Sequence, residues 1–233
     1  MCQKLTADNV VYIKERMVRA AIIVLETIPK TDKIRAMNQA PVLSKADVGV
    51  HSGSHINRKF GFWLFLSSEL LIFCGLIGGF LVTKHYAATW PTQAQLSLWL
   101  ASTNTFLLLT SSLTVVLGIE RIQADKPKGL TMFLLLSALL GFLFLSGQAY
   151  EYQHLIFGEK FGFGDPFGTA FFILTGLHGL HVLVGVLWAI TVAMRARRGA
   201  YSSSNFTTVE MFGLYWHFVD LVWILIFTIV YLI

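Results

Sequence analysis

The stretch FGFWLFLSSELLIFCGLIGGFLVT, residues 60–83, contains one charged side chain, the carboxylate of Glu69. An α-helix rises about 1.5 Å per residue and the hydrocarbon core of a bilayer is about 30 Å thick, so about 20 apolar residues cross it. The stretch is long enough for such a crossing and predicts a transmembrane helix. It also raises the question of what a carboxylate does in the middle of that helix.

Four further segments share this length and polarity, at residues 96–119, 130–152, 167–194 and 207–233. Charged residues make up 13% of the chain, compared with about 25% in soluble domains. Because the connecting loops are short, consecutive helices are expected to be antiparallel neighbours. The predicted fold class is therefore all-α, a polytopic membrane protein with five transmembrane helices in an up-down bundle.

Basic residues are unevenly distributed between alternate loops. One side carries Arg58, Lys59, Arg121, Lys126, Lys128, Arg195, Arg197 and Arg198, and the other carries Lys84 and Lys160. Cytoplasmic loops are enriched in Lys and Arg, so we predict a cytoplasmic N-terminus and an external C-terminus. No basic stripe with interleaved aromatic residues accompanies the formal charge of +5, so no nucleic acid is expected as a partner.

The sequence divides into two regions of different polarity. Residues 1–58 predict a polar cytoplasmic extension with one short amphipathic helix around residues 10–28, too short in its apolar run to span a membrane. Residues 59–233 predict the five-helix transmembrane domain. The sequence that begins at Met37 also fits a natural start, which leaves open whether residues 1–36 are native.

Five ionisable side chains fall in one central layer of the predicted bundle when residues are counted from the segment ends. This central polar layer consists of Glu69, His178, His181, His217 and Asp220. A charged group at the bilayer centre costs at least about 2.5 kcal/mol, so these groups are expected to face the bundle and to pair. His178 and His181, like His217 and Asp220, are three residues apart and share a helix face.

Three interpretations of the central polar layer follow from the residues alone. It can be a hydrogen-bond network that fixes helix register, a haem or metal site, or part of a proton path. The Glu151-x-x-His154 spacing matches half of a di-iron motif, but the chain supplies no second half; we predict no metal site. A proton path needs groups leading to both membrane faces, and the outer half offers Asn104, Gln148 and Glu151.

Three motifs together give the chain a specific resemblance. WLFLSSELLIF (63–73), ILTGLHGLHVLVG (173–185) and LYWHFVDLVWILIFTIVYL (214–232) occur in this order, with TNTFLLLTSS and SGQAYEY between the first two. Over residues 59–233 the chain resembles subunit III of the haem-copper respiratory oxidases, in the five-helix bacterial form. By this resemblance Glu69 matches the family's membrane glutamate, which reacts with carbodiimides.

The resemblance implies a non-catalytic subunit of a proton-pumping cytochrome c or quinol oxidase that reduces O₂ to water. Such a subunit stabilises subunit I, binds lipid and supports proton uptake. It has no catalytic residue or cofactor of its own, since haem and copper lie in partner subunits, and a structural phospholipid is expected. The implied partners are subunits I and II, with subunit IV and a respiratory supercomplex as further candidates, in the bacterial cell (inner) membrane.

Lipid or subunit contacts are expected at five residues, namely Trp63, Asn104, Glu151, Tyr215 and Trp216. Aromatic residues near the segment ends, Tyr231 among them, suit an interfacial belt. Two other functions remain open: a subunit III-like companion of a nitric oxide reductase, and a free-standing small transporter or proton channel.

Overall fold

A computed structural model of the protein describes residues 45–87, 90–91, 96–158 and 161–233, with side chains from residue 57 onward. The predicted amphipathic helix at residues 10–28 lies outside the described residues. Within these ranges five α-helices follow one another: α1 Lys45–Tyr86, α2 Leu98–Gln123, α3 Pro127–Gln153, α4 Pro166–Arg197 and α5 Thr207–Phe227. Single π-helical turns, His154–Gly158 and Thr228–Leu232, extend α3 and α5.

Each of the five predicted segments is a helix long and apolar enough to cross a membrane, which confirms the predicted fold class. Most helix ends lie within a few residues of the predicted ones, but α1 begins at Lys45, well before the predicted start at residue 60, and so includes the charged residues Arg58 and Lys59. Proline at the first turn begins both α3 and α4, where its missing N–H costs no hydrogen bond. Asp165 caps α4 by accepting a hydrogen bond from the Gly168 N–H at 3.1 Å.

Close helix packing forms a ring of four helices. Helix α2 packs on α3, α3 packs on α4, and α5 closes the ring against α2 and α4. Helix α1 differs from the expectation that every helix packs on the next one in sequence, because its aromatic, hydrogen-bond and ion-pair contacts with other helices go to α4 and α5. The connection at residues 87–97 permits this arrangement, since each extended residue reaches about 3.3 Å and packed helices lie about 8–10 Å apart.

Glycines mark a close approach of α3, α4 and α5. A Cβ atom built on Gly185 would lie 2.6 Å from the Trp216 ring, and one on Gly141 would lie 2.8 Å from Val186 and 2.9 Å from Trp216. These two glycines therefore make the space that the indole fills.

Three glycines in the C-terminal half of α1 behave differently. A Cβ on Gly75, Gly78 or Gly79 would meet no atom within 4 Å. These glycines therefore do not serve close packing against another described helix of this chain.

Hydroxyl groups of α2 link the ring internally. The indole N–H of Trp216 donates to Ser111 Oγ at 2.9 Å, and that of Trp223 donates to Thr105 Oγ1 at 2.9 Å. Thr114 Oγ1 and Ser137 Oγ form a further bond, from α2 to α3, at 2.5 Å. In a bilayer the alternative for these groups is an unpaired polar atom in hydrocarbon, so such bonds orient α2, α3 and α5.

Candidate functional site

Glu69 joins α1 to α4 through one polar contact. Its Oε2 lies 3.1 Å from Nε2 of His181, and the two side chains are 16% and 14% exposed. On the other side of the imidazole, Nδ1 lies 2.8 Å from the carbonyl oxygen of Leu177. The sequence placed Glu69 and His181 in one layer, and the structure brings them into contact.

The hydrogen-bond partners determine how many protons this contact holds. A carbonyl oxygen can only accept, so the Leu177 contact requires a proton on Nδ1 of His181. The contact between Nε2 and Oε2 then needs a second proton, carried by either atom. The pair is electrically neutral in both cases, as neutral imidazole with carboxylic acid or as imidazolium with carboxylate. We call it the one-proton pair.

Aromatic side chains hold the one-proton pair in place. Phe73, one turn beyond Glu69 on α1, lies with its ring centroid 5.1 Å from that of His181 and 6.4 Å from that of Phe218. The hydroxyl of Tyr215 donates to the backbone carbonyl of His181 at 2.9 Å. Helix α5 therefore fixes the position of the histidine that α4 presents to α1.

His178 does not join this contact, although it lies on the same helix three residues earlier. It is 1% exposed, and neither ring nitrogen has a hydrogen-bond partner among the described residues. Its ring stacks on Trp223 with a centroid separation of 4.9 Å and meets the edge of Phe144 at 5.7 Å. His178 is enclosed by aromatic rings inside the four-helix ring.

His217 and Asp220 form a second polar group of the central layer, between α2 and α5. His217 Nδ1 lies 2.5 Å from the hydroxyl of Ser112. Neither Asp220 oxygen has a partner at hydrogen-bonding geometry within the described part of the chain, although the Ser112 hydroxyl is close enough to interact with the carboxylate. The sequence analysis missed Ser112, which the TNTFLLLTSS motif supplies.

A separate set of polar side chains lies near the C-terminal end of α3. We call Asn104, Gln148, Glu151 and Tyr231 the α3-end cluster. The Tyr231 hydroxyl donates to Glu151 Oε2 at 2.8 Å, and Gln148 Nε2 donates to the same oxygen at 3.2 Å. Tyr231 was expected in an interfacial belt, but it is buried, because a position near the chain end does not determine which way a side chain turns about the helix axis.

The structure places four of the five expected lipid or subunit contacts inside the chain. Asn104, Glu151, Tyr215 and Trp216 are buried, whereas Trp63 is 55% exposed. Their hydrogen bonds and packing, described above, face other helices of the same chain. This differs from the expectation because polar and large aromatic residues at membrane depth serve packing as readily as they serve surface contacts.

No three His, Cys, Asp or Glu side chains within the described ranges come close enough together to hold a metal ion. The two residues of the Glu151-x-x-His154 spacing are divided between the interior and the surface, since Glu151 is buried and His154 is exposed. Glu151 and His154 therefore do not face a common site.

The five apolar helices, joined in part by the neutral Glu69–His181 pair, define a polytopic membrane protein. Comparison with known proteins specifies its family. The family model for cytochrome c oxidase subunit III matches residues 8–233. The chain belongs to the cytochrome c oxidase subunit III family. It is accordingly an accessory subunit of a haem-copper oxidase, part of a complex with other oxidase subunits and a multi-pass protein of the bacterial membrane.

Individual relatives agree with the family assignment. Cytochrome c oxidase subunit 3 of Alkalihalophilus pseudofirmus is 40% identical over 178 residues, covering 76% of this chain and 86% of the relative. That of Bacillus subtilis is 38% identical over 183 residues, covering 76% and 86%. The probable quinol oxidase subunit 3 of Staphylococcus saprophyticus is 35% identical over 180 residues, covering 76% and 89%.

Proposed function

We propose that this chain stabilises subunit I of a proton-pumping terminal oxidase, binds lipid and supports proton uptake through Glu69 and His181. The one-proton pair is the observation that carries the proposal. It lies in the membrane-spanning part of the chain, is partly accessible, and connects α1 to the four-helix ring. A neutral pair is compatible with this depth, whereas an isolated charge is costly there.

Two protonation states of the pair support a role in proton supply. The proton between Nε2 of His181 and Oε2 of Glu69 can be carried by either atom without a change in net charge. Addition or removal of one further proton gives the pair a net charge. The free energy of this charged state is unfavourable at membrane depth and depends on the charges that neighbouring subunits place nearby. We propose that the pair exchanges a proton with water at the subunit boundary and passes none to a metal within this chain.

Lipid binding is supported by a groove between α1 and α4. The groove has a volume of about 460 Å³ and is lined by Gly75, Gly79 and Phe80 of α1 and by Ala170 and Ile173 of α4. Small and apolar residues let an acyl chain approach the helix backbone. We propose a structural phospholipid here, with haem and copper bound by partner subunits rather than by this chain.

Substitution of Glu69 by Gln tests the role of the pair. The Gln side chain can still donate a hydrogen bond to Nε2 of His181 but cannot release the proton. In the assembled oxidase we expect unchanged haem spectra and nearly unchanged initial O₂ reduction, together with slower proton uptake or faster loss of activity during turnover. Proton uptake is measured by a pH-indicator assay and durability by long O₂-consumption traces.

A matched control separates proton chemistry from helix attachment. Glu210→Gln removes the ion pair between Glu210 and Lys59, which also links α1 to α5, with Nζ to Oε2 at 2.9 Å. Equal effects of Glu69→Gln and Glu210→Gln would assign Glu69 a purely structural role, and loss of the haem signal in Glu69→Gln would contradict a non-ligand role. Purification with a nitric oxide reductase instead of a terminal oxidase, or without any haem-copper partner, would overturn the assignment to subunit I.

A further inference from the structure

The α3-end cluster contains a buried carboxyl group that the proposed function does not use. Glu151 is 2% exposed and Gln148 is 4% exposed. Both donors that reach the Glu151 carboxyl group, the Tyr231 hydroxyl and the Gln148 amide, reach the same oxygen, Oε2. The other oxygen, Oε1, is buried and has no partner among the described residues.

Gln148 also has a buried oxygen without a hydrogen-bond partner among the described residues. Its Nε2 donates to Glu151, but its Oε1 is buried without a partner in the described part of the chain. A buried unpaired polar atom costs about 1–3 kcal/mol. Two acceptor oxygens on adjoining side chains therefore lack a hydrogen, and a single hydrogen between them would satisfy both.

We propose that Glu151 binds a proton on Oε1 and donates it to Oε1 of Gln148, so that Glu151, Gln148 and Tyr231 form a buried proton-binding site separate from Glu69. The acid and the amide then make two reciprocal hydrogen bonds, N–H to carbonyl and O–H to carbonyl. The first contact already exists at 3.2 Å. Rotation about the terminal side-chain bonds, whose torsional preferences are broad, makes the second.

The surroundings favour the neutral acid over the carboxylate. Tyr231 of the π-helical turn after α5 and Gln148 of α3 face Glu151 directly, and the neighbouring Tyr152 of α3 directs its hydroxyl to Thr175 of α4 at 2.8 Å. All of these groups are neutral at neutral pH. The ion pairs of the described residues are elsewhere, so no described cation offsets the cost of burying an anion at Glu151.

Asn104 of α2 borders the site, and its amide fills the space beside Gly147 of α3. Its amide packs against Gly147, where a Cβ atom would overlap Asn104 Oδ1 and lie 2.8 Å from Nδ2. Asn104 Nδ2 is a further buried donor without a partner in the structure as described. A second amide therefore lies beside residue 147 of α3, one turn from Glu151.

Infrared difference spectroscopy of the assembled oxidase tests the site directly. The spectrum of the wild type at pH 7 minus that of Glu151→Gln should contain the carbonyl stretch of one protonated carboxylic acid, and this band should move to lower frequency in D₂O. Glu120→Gln, which removes an exposed glutamate at the end of α2, should leave the band in place. Tyr231→Phe and Gln148→Leu should shift it, because each removes a hydrogen bond to one end of the carboxyl group.

Each other outcome contradicts the proposal. A carboxylate stretch in place of the carboxylic acid band would show that Glu151 is ionised. Loss of that carboxylate signal in Lys160→Gln would assign its counterion to Lys160, outside the described residues. If Glu151→Gln fails to assemble, Gln148→Leu and Tyr231→Phe still test the site, since an acid band unaffected by both would not belong to Glu151. The test does not depend on proton uptake through Glu69, so the two proposals can fail independently.

Discussion

Trp216 is the residue on which the packing of three helices depends. Its indole occupies the space beside Gly141 and Gly185 and hydrogen-bonds to Ser111. The indole N–H is hydrogen-bonded and the ring is closely packed at the same position. Small changes in side-chain volume around Trp216 should therefore lower stability, while equal changes on the open face of α1 should not.

A methyl group added at Gly185 tests this difference. Gly185→Ala puts a Cβ 2.6 Å from the Trp216 ring, and overpacking of this kind costs about 1–3 kcal/mol. We expect a lower midpoint of thermal unfolding, measured on the purified complex by intrinsic fluorescence. Gly78→Ala, where the Cβ meets nothing within 4 Å, is the matched control; an equal loss of stability in both variants would contradict the close packing.

Residue spacing explains which parts of the site could be predicted. Counting along the helices placed Glu69 and His181 at similar depth, and the two are in contact. It could not distinguish His178 from His181, because three residues fall about 60° short of a full helical turn. Because of that offset, the imidazole of His178 faces aromatic side chains inside the four-helix ring, whereas the imidazole of His181 faces α1.

At the scale of helices, α1 is attached to the ring by individual side chains. Phe73 is almost completely buried against His178, His181 and Phe218, whereas most of the side chains at residues 57–86 of this helix are exposed. Short loops predicted a regular up-down order, but loop length sets only an upper limit on the distance to the next helix. The position of α1 depends on matched side chains, which periodicity does not reveal.

Truncation of Phe73 should weaken this attachment. Removal of a buried phenylalanine side chain costs about 3–5 kcal/mol in well-packed cores. We therefore expect Phe73→Ala to lower the thermal stability of the complex and Leu71→Ala, on the exposed face of the same helix, to leave it within about 0.5 kcal/mol of the wild type. If the leucine variant were the more damaging one, α1 would be held mainly by contacts outside this chain.

Two loops at one end of the ring are joined by a carboxylate. Asp125, between α2 and α3, accepts hydrogen bonds from the Ser203 N–H at 2.9 Å and from its hydroxyl at 2.8 Å. These bonds, chiefly the one from the backbone N–H, hold the pKa of Asp125 below its ordinary value of 3.8. The stabilising contribution is therefore present above this pH and is lost as pH falls through the lower value of the folded protein.

The loop contact predicts a local dependence on pH. Hydrogen-exchange protection of the Ser203 amide should decrease below pH 3.8 in the wild type. Asp125→Asn keeps a residue tolerant of the left-handed conformation, φ 53°, but removes the charge, so protection should be lower and independent of pH in this range. Ser204→Ala should behave as the wild type does, and an unchanged pH response in Asp125→Asn would contradict the assigned contact.

At the scale of the whole molecule, the Asp125–Ser203 contact places the α2–α3 and α4–α5 loops at one end, as an up-down order requires. Of the nine Lys and Arg residues in 59–233, six lie in these loops or in the adjoining helix turns, namely Arg121, Lys126, Lys128, Arg195, Arg197 and Arg198. Hydropathy and charge thus predicted the five spans and their alternation. They could not predict the ring closure of α2 with α5, because nothing in the spacing of apolar residues specifies contacts between helices distant in sequence.

Cysteine labelling checks the predicted orientation. With Cys2 and Cys74 replaced by serine, a cysteine introduced at Ser203 should react with a membrane-impermeant maleimide only after the cell membrane is permeabilised. A cysteine at Gly164, in the α3–α4 loop, should react in cells whose inner membrane is intact. The opposite pattern would invert the orientation predicted from the distribution of Lys and Arg.

The partner of Glu69 is 112 residues further along the chain, which has a consequence for biosynthesis. At about 5–20 residues per second, roughly 6–22 s pass between translation of the glutamate and translation of its histidine. During that interval α1 must stay in the bilayer without its partner on α4. The apolar side chains on both sides of Glu69 are what make the newly inserted helix tolerate the carboxylate until the rest of the chain arrives.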